Sequence, residues 1–314
     1  MKHVLAALGL AAALAAPAFA QNYVIMAPAS PGGGWDQTAR TMQEVMQAEG
    51  IAEDVQVQNV PGAGGTVGLA QFVSSAAGDP SQLIVGGYVM VGAILTNASP
   101  VSLADVTPIA RLTGEAVAVA VPADSPYQTI GDLVAALKAD PGAVSWGGGS
   151  AGGADHITVG LLAKAAGVDP TAINYIAFSG GGEALAAILG GQVTAGVSGV
   201  GEFLPQVEAG AMRILAVSTA ERAANVDAPT LKEAGFDVAL QNWRMVAAAP
   251  GLSPEQVAGI TADIEALAAS EGWKAALADR GWADTFLSGE AFATQLAADT
   301  EQTAAILKDI GLVQ

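Results

Sequence analysis

Residues 23–48 read YVIMAPASPGGGWDQTARTMQEVMQA. Residues 23–27 form a short apolar run of strand character, 31–36 a turn built on three glycines, and 37–48 a segment with apolar residues at helical spacing. A strand, a glycine turn and a helix in that order are the unit of a parallel sheet covered by helices. The same order recurs downstream. Strands are expected at 55–58, 83–87, 117–121, 144–146, 174–178, 195–198, 214–218 and 240–248. Helices are expected at 67–76, 130–139, 157–166, 183–189 and 203–208. In the helix over 157–166, Ile157, Leu161, Leu162 and Ala165 make an apolar stripe that would face the sheet. The fold class that follows is α/β.

The chain has 314 residues, which argues for roughly two domains over one compact core, with a single large barrel as the competing arrangement. It is 52% hydrophobic and only 13% charged, so a buried core is available and disorder is excluded. A net charge of −18 repels phosphate backbones and anionic headgroups, which argues against a nucleic-acid or polybasic membrane role. With no cysteine there are no disulfides, thiolate chemistry or Cys-based metal sites. Residues 1–20 carry Lys2 and His3, an apolar run over 4–16 and the small-x-small triplet Ala18-Phe19-Ala20. This pattern predicts a secretory leader cleaved after Ala20, too short in its apolar part to span a bilayer, and a freely soluble, periplasmic mature protein without a lipid anchor.

Turn-rich breaks at 122–126 and 229–235 mark two crossings between domains. They predict one domain from 21–118 plus 245–314, a second from 119–244 inserted into it, and a hinge where the chain passes between them. The tail is helical: Ser253 and Pro254 open a helix through 269, and Ser288 with Glu290 opens another over 291–310.

Six segments, 31–36, 61–68, 86–92, 147–153, 179–183 and 198–202, hold 20 of the 39 glycines. Five of them join a strand to a helix. In an open parallel sheet such junctions lie at the carboxyl edge, where ligands bind. Two such edges facing each other across a hinge form a cleft in which backbone N–H groups and helix N-termini can hold a carboxylate or phosphate without lysine. None of the six segments contains Lys or Arg. Tight βα turns also need glycine, and this alternative holds for any one loop.

Other motifs are incomplete. Gly148-Gly149-Ser150-Ala151-Gly152 matches a G-x-S-x-G nucleophile elbow, but the only histidine after the leader is His156, in the wrong place for the base of such a triad. Gly147-x-Gly149-x-x-Gly152 matches a dinucleotide fingerprint, yet the next strand ends in Ser179 rather than an acid. One histidine and scattered acids predict no metal site, and no cofactor is expected. His156 is either a locally bonded helix residue or a donor into the cleft. Asp36 caps the helix after it or accepts from a ligand. Trp35 and Trp243 are core fillers or an apolar wall.

Five motifs occur in order: Ala27-Pro28-x-x-Pro31-Gly32-Gly33-Gly34-Trp35-Asp36, Asn59-Val60-Pro61-Gly62-Ala63-Gly64-Gly65-Thr66, Gly147-Gly148-Gly149-Ser150-Ala151-Gly152-Gly153, Phe178-Ser179-Gly180-Gly181-Gly182 and Asn242-Trp243-Arg244. With them the chain resembles the periplasmic solute-binding receptors of tripartite tricarboxylate transporters, the TctC/Bug family, from the leader to the C-terminus. The resemblance implies a two-domain Venus flytrap, each domain a mostly parallel sheet flanked by helices. It implies a monomer that closes on a small organic carboxylate of the di- or tricarboxylate class and delivers it to large and small membrane subunits. The ligand-binding residues it implies are Ser30, Pro31, Gly32, Gly33, Gly34, Trp35 and Asp36 in the first loop. Gly64, Gly65 and Thr66 follow in the second, then Ser150, Ala151 and Gly152 with His156, then Ser179, Gly180, Gly181 and Gly182, and Ser198. The alternatives are an exported α/β hydrolase using Ser150, or a receptor for an ABC importer or a sensor kinase.

Overall fold

A computed structural model describes residues 21–178, 180–223 and 226–314. The leader over 1–20 and Ser179 lie outside the described residues. The first element, β1 (Gln21–Ala27), runs into α1 (Gly34–Ala48), whose buried face is Trp35, Thr38, Ala39, Met42, Val45 and Met46, spaced by three and four residues. Next come β2 (Ala52–Asn59), a 3-10 turn over Ala63–Gly65, α2 (Thr66–Ser75), β3 (Gln82–Gly87) and α3 (Tyr88–Thr96). The long β4 (Thr107–Pro122) leads to α4 (Ile130–Ala139), β5 (Ser145–Gly148), α5 (Ala154–Ala165), β6 (Asn174–Ala177), α6 (Gly181–Leu189), β7 (Ala195–Gly199), α7 (Val200–Glu208) and β8 (Met212–Val217). The chain returns through β9 (Gln241–Ala248) to α8 (Pro254–Ala269), α9 (Glu271–Arg280), β10 (Ala283–Ser288) and α10 (Gly289–Asp309).

The strands form one curled sheet in the order β2-β1-β3-β9-β4-β7-β5-β6, with β8 and β10 also paired to β4. The expected parallel pairing is present in β2-β1-β3 and β6-β5-β7. The strands between them, β9 and β4, run antiparallel to their neighbours, so the sheet is mixed. Hydrophobic alternation is the same for either strand direction, which is why sequence alone did not separate the two.

Strand β4 belongs to both halves. Its residues from Thr107 to Ala116 pair with β9, and those from Val117 onward pair with β7 and β8. The return crossing is tied to it by Ser218, which is fully buried. The Ser218 hydroxyl donates to Leu240 O at 2.7 Å and accepts from Val117 N at 3.0 Å. The full length of β9 sits in the first half of the sheet.

Helices begin in two ways. The cap of α4, Thr129, forms a capping box with Asp132, and Ser253 does so with Gln256 at α8, with Pro254 at the first helical position as expected. The expected stripe of α5 is wider than its four residues. Ile157 and Leu162 are buried, but so are Ala154, Thr158, Val159 and Ala163, while Ala165 is exposed, because this helix is packed on more than one side. Three elements lie outside the expected set. The apolar α3 has no polar face to reveal its period, α9 is a short helix opened by the Ser270 hydroxyl, and β10 is a six-residue strand between helices. Among the described residues, no helix is long and apolar enough to cross a membrane.

Candidate functional site

The carboxyl ends of β1, β3, β5 and β7 point to one gap between the two halves of the sheet, and a cavity of about 60 Å³ lies there. Ala29, Gly33, Gly34 and Trp35 line it from the β1–α1 junction, Val89 from α3, and Asn242 and Arg244 from the start of β9. The second half contributes Gly149, Ser150 and Asp155, then Gly180 and Gly181, then Ser198, Gly199 and Glu202. A water needs roughly 10–15 Å³ of such space, so the cavity has room for a few waters. A larger hollow of about 560 Å³ lies by the crossings, lined in part by Leu277, Ala278 and Gly281. These residues are at the carboxyl end of α9, whose carbonyl dipoles disfavour an anion.

The helices whose strands end at the gap start without a capping side chain. Glycine is the N-cap of α1 (Gly33), α2 (Gly65), α3 (Gly87), α5 (Gly153), α6 (Gly180) and α7 (Gly199). Helices α4, α8 and α9, which start elsewhere, are capped by Thr129, Ser253 and Ser270. Gly33, Gly180 and Gly199 are in the cavity wall. Three helix N-termini thus meet one small space; Glu115 takes Gly201 N of α7, and none of the three N-cap residues supplies a side-chain cap, which leaves main-chain donors able to hold a carboxylate or a phosphate.

Charge below this wall is concentrated. Arg244 is buried and paired with buried Glu115, its guanidinium 4.9 Å from the Trp282 ring centre. Glu115 also accepts from Gly201 N at 2.8 Å, which links β4 to α7. A Cβ on Gly34 would overlap the Arg244 guanidinium, so only glycine fits there. Burial pushes the Asp155 carboxyl up to about 7, against a hydrogen bond of 2.7 Å from Gly149 N. Burial, helped by the Glu115 charge, pushes Glu202 up to about 8. Glu202 Oε2 is sealed from solvent and has no hydrogen-bond partner, and the same is true of Asn242 Oδ1. Among the described residues, no group of three or more His, Cys, Asp or Glu is placed to hold a metal ion.

Of the residues expected at the site, Gly33, Gly34, Trp35, Ser150, Gly180, Gly181 and Ser198 are in the cavity wall. Others close the gap at its flanks. On one side the Ser30 hydroxyl donates to Glu183 Oε1 at 3.2 Å, and Pro31 O faces Gly182. On the other, Thr96 Oγ1 donates to Ala151 O at 3.1 Å, and a Cβ on Gly92 would collide with the carbonyl of Gly152. Gly64 packs on Ser150 and Gly65 on the Trp35 ring, while the Thr66 hydroxyl donates back to Ala63 O at 2.8 Å.

Asp36 and His156 stand behind the wall. Asp36 accepts from Gly32 N at 2.8 Å, Arg40 Nε at 3.0 Å and Asn59 Nδ2 at 2.9 Å, so it holds the first loop in shape. These bonds keep its carboxyl below the usual range against the opposing effect of burial. His156 Nδ1 accepts from Gly152 N at 3.2 Å, and its ring is stacked 4.0 Å from Tyr175. Burial lowers it to about 4, so it is neutral. The imidazole is committed to the loop backbone rather than to the Ser150 hydroxyl, and the triad is absent.

Asp155, Glu202, Asn242 and Arg244, with Glu115 beneath, lay outside the expected site. A signal for two of them exists: Glu115 abuts the uncharged apolar run 116–121 and Arg244 is the single charge of β9, opposite signs beside apolar stretches, a pattern that implies a buried pair.

Comparison with known proteins agrees with this geometry. The family model described as "Tripartite tricarboxylate transporter family receptor" matches residues 38–312. The chain is 28% identical over 317 residues to a UPF0065 protein of Cupriavidus necator, covering 98% of this chain and 94% of that one. It is 26% identical to protein BugT of Bordetella pertussis, covering 99% and 98%. Among solved structures, the periplasmic binding protein BugD superposes with a TM-score of 0.84 at 22% identity, over 93% of this chain and 98% of that one. MatC of Rhodopseudomonas palustris with bound malate superposes with 0.78 at 23% identity, over 91% and 99%. A further R. palustris protein, with adipate, superposes with 0.83 at 22% identity, over 93% and 97%. With the family model matched over most of its length, the chain belongs to the tripartite tricarboxylate transporter receptor family.

Proposed function

We propose that the protein is a periplasmic receptor that binds a small organic carboxylate of the di- or tricarboxylate class between its two lobes and delivers it to the large and small membrane subunits of a tripartite tricarboxylate transporter. The carrying observation is the meeting of three glycine-started helix N-termini, at Gly33, Gly180 and Gly199, on one cavity. Malate in one structural neighbour and adipate in another support the ligand class. The change of pairing partner along β4 at Ala116–Val117 supports lobes over 21–118 with 245–314 and over 119–244, with the crossings as hinge. The leader over 1–20 exports the chain, and the mature receptor works as a soluble monomer. Ligand energy shifts the balance toward the closed form, which is the form the membrane subunits read.

The test is calorimetry and tryptophan fluorescence on the mature protein with a panel of mono-, di- and tricarboxylates. Saturable one-to-one binding of at least one acid with a raised melting temperature is expected. A flat response across the panel overturns the proposal.

A further inference from the structure

The cavity wall holds main-chain donors at the starts of α1, α6 and α7. Beside them it carries two acceptors, Glu202 Oε2 and Asn242 Oδ1, both sealed from solvent and both without a hydrogen-bond partner. The other buried acids around the gap are satisfied: Asp36 by Gly32, Arg40 and Asn59, Glu115 by Arg244 and Gly201, and Asp155 by Gly149. A buried acceptor left unpaired is costly, so such atoms in a binding cavity mark where a ligand brings donors.

An acid in the first turn of a helix also complements the helix dipole, and Glu202 is in the first turn of α7. That role is served as well by a carboxylate turned out to water. Glu202 is turned inward instead, against Gly181, where any Cβ would overlap its Oε2. The wall has been cleared of a side chain to admit this oxygen.

We propose that Glu202, supported by Asn242, is a specificity-determining residue that selects carboxylates bearing a hydroxyl or ammonium donor on the carbon skeleton over their unsubstituted counterparts. The proposal rests on the receptor reading above. An unsubstituted carboxylate offers only acceptors, so it would leave Glu202 Oε2 and Asn242 Oδ1 without a donor. A hydroxyl or ammonium group completes the unpaired atoms while the carboxylate occupies the helix N-termini. A site built around such a bond rejects the analogue that lacks the donor more strongly than an apolar pocket rejects a missing methylene.

The test uses matched series in calorimetry on the mature protein: propionate, lactate and alanine; succinate, malate and aspartate; glutarate, 2-hydroxyglutarate and glutamate. In the series that binds, the hydroxy or amino member is expected to bind at least about tenfold tighter than the unsubstituted one, and the two arms tell which donor is meant. Glu202→Leu is expected to bring that ratio within about twofold while the unsubstituted acid still binds, which also reports that the variant is folded. Glu202→Gln keeps a carbonyl acceptor in a neutral side chain, as the protonated carboxyl does, so a preference for the hydroxy member persists. Equal or tighter binding of the unsubstituted acid by the wild-type protein overturns this proposal and leaves the receptor reading standing. Absence of binding by every carboxylate overturns the receptor reading itself and this proposal with it.

Discussion

Arg244 on β9 and Glu115 on β4 form a buried ion pair just before the point where β4 leaves one half of the sheet for the other. Glu115 extends the link to Gly201 N at the start of α7, and Arg244 reaches Thr38 Oγ1 on α1 at 3.4 Å. One chain of polar contacts therefore joins helices from both halves beneath the cavity. Removing one partner leaves a buried charge without its counterion. Arg244→Met is expected to cost about 3–5 kcal/mol in urea denaturation, and Arg244→Met with Glu115→Leu to recover most of that. A single variant as stable as wild type would show that the pair is not buried as described.

At Gly92 the closed form depends on a missing side chain. A Cβ there would collide with the Gly152 carbonyl across the gap, although Gly92 lies inside α3, where alanine is the better helix former by about 1 kcal/mol. Gly92→Ala is expected to stay folded but to hold the halves apart, weakening ligand binding by about tenfold or more, since ~1.4 kcal/mol of lost closure suffices. Small-angle scattering with saturating ligand checks this through a larger radius of gyration. A variant that closes and binds like wild type would remove Gly92 from the seam.

Asp36 acts on the site through the loop it anchors. Asp36→Ala strips the partner from Gly32 N, one of two acceptors from Asn59 Nδ2, which keeps Ala29 O, and the carboxylate from Arg40. A loss of about 1–3 kcal/mol in stability is expected, together with weaker ligand binding from a loosened first loop. Binding unchanged at wild-type affinity would make the anchor dispensable to the site.

Stability should depend on pH through the buried acids. Asp155 and Glu202 are raised to about 7 and about 8 from ordinary values of 3.8 and 4.5. Between the ordinary and the raised values the native protein holds protons that the unfolded chain releases, so stability falls as pH rises through this window. His156, lowered to about 4 from 6.5, acts in the opposite sense, but only below 6.5, where the unfolded imidazole takes up a proton that the native one refuses. From pH 8 down to 6.5 the acids act without that opposition, so the melting temperature of the ligand-free protein should rise. Glu202→Gln should flatten the rise. A melting temperature that is constant or drops over this interval in wild type contradicts the assignment.

Much of the framework was legible in sequence because it is written in local patterns. The strand, glycine turn and helix at β1–α1 recur with periods of two and 3.6, and Ser253-Pro254 announces α8 by its chemistry. The direction of β4 and β9 was not legible, since Ala-Val alternation carries no sense of direction. Helix α3, YVMVGAILT, hid because it is apolar on every side. In the site the glycines were readable one junction at a time, and Gly33, Gly180 and Gly199 do meet. Arg244 and Glu115 are 129 residues apart, and only the folded sheet brings that pair under the cavity. Asp36 and His156 illustrate the converse: polar residues beside a binding loop whose bonding capacity is spent on shaping it.

At Gly92, Gly152, Gly180 and Gly182 the two halves approach each other without side chains of their own. Glycine has no rotamers to surrender when it is buried. Contact at these four positions therefore costs little side-chain entropy, and the ordering is confined to the few bonds at the flanks, Ser30 to Glu183 and Thr96 to Ala151.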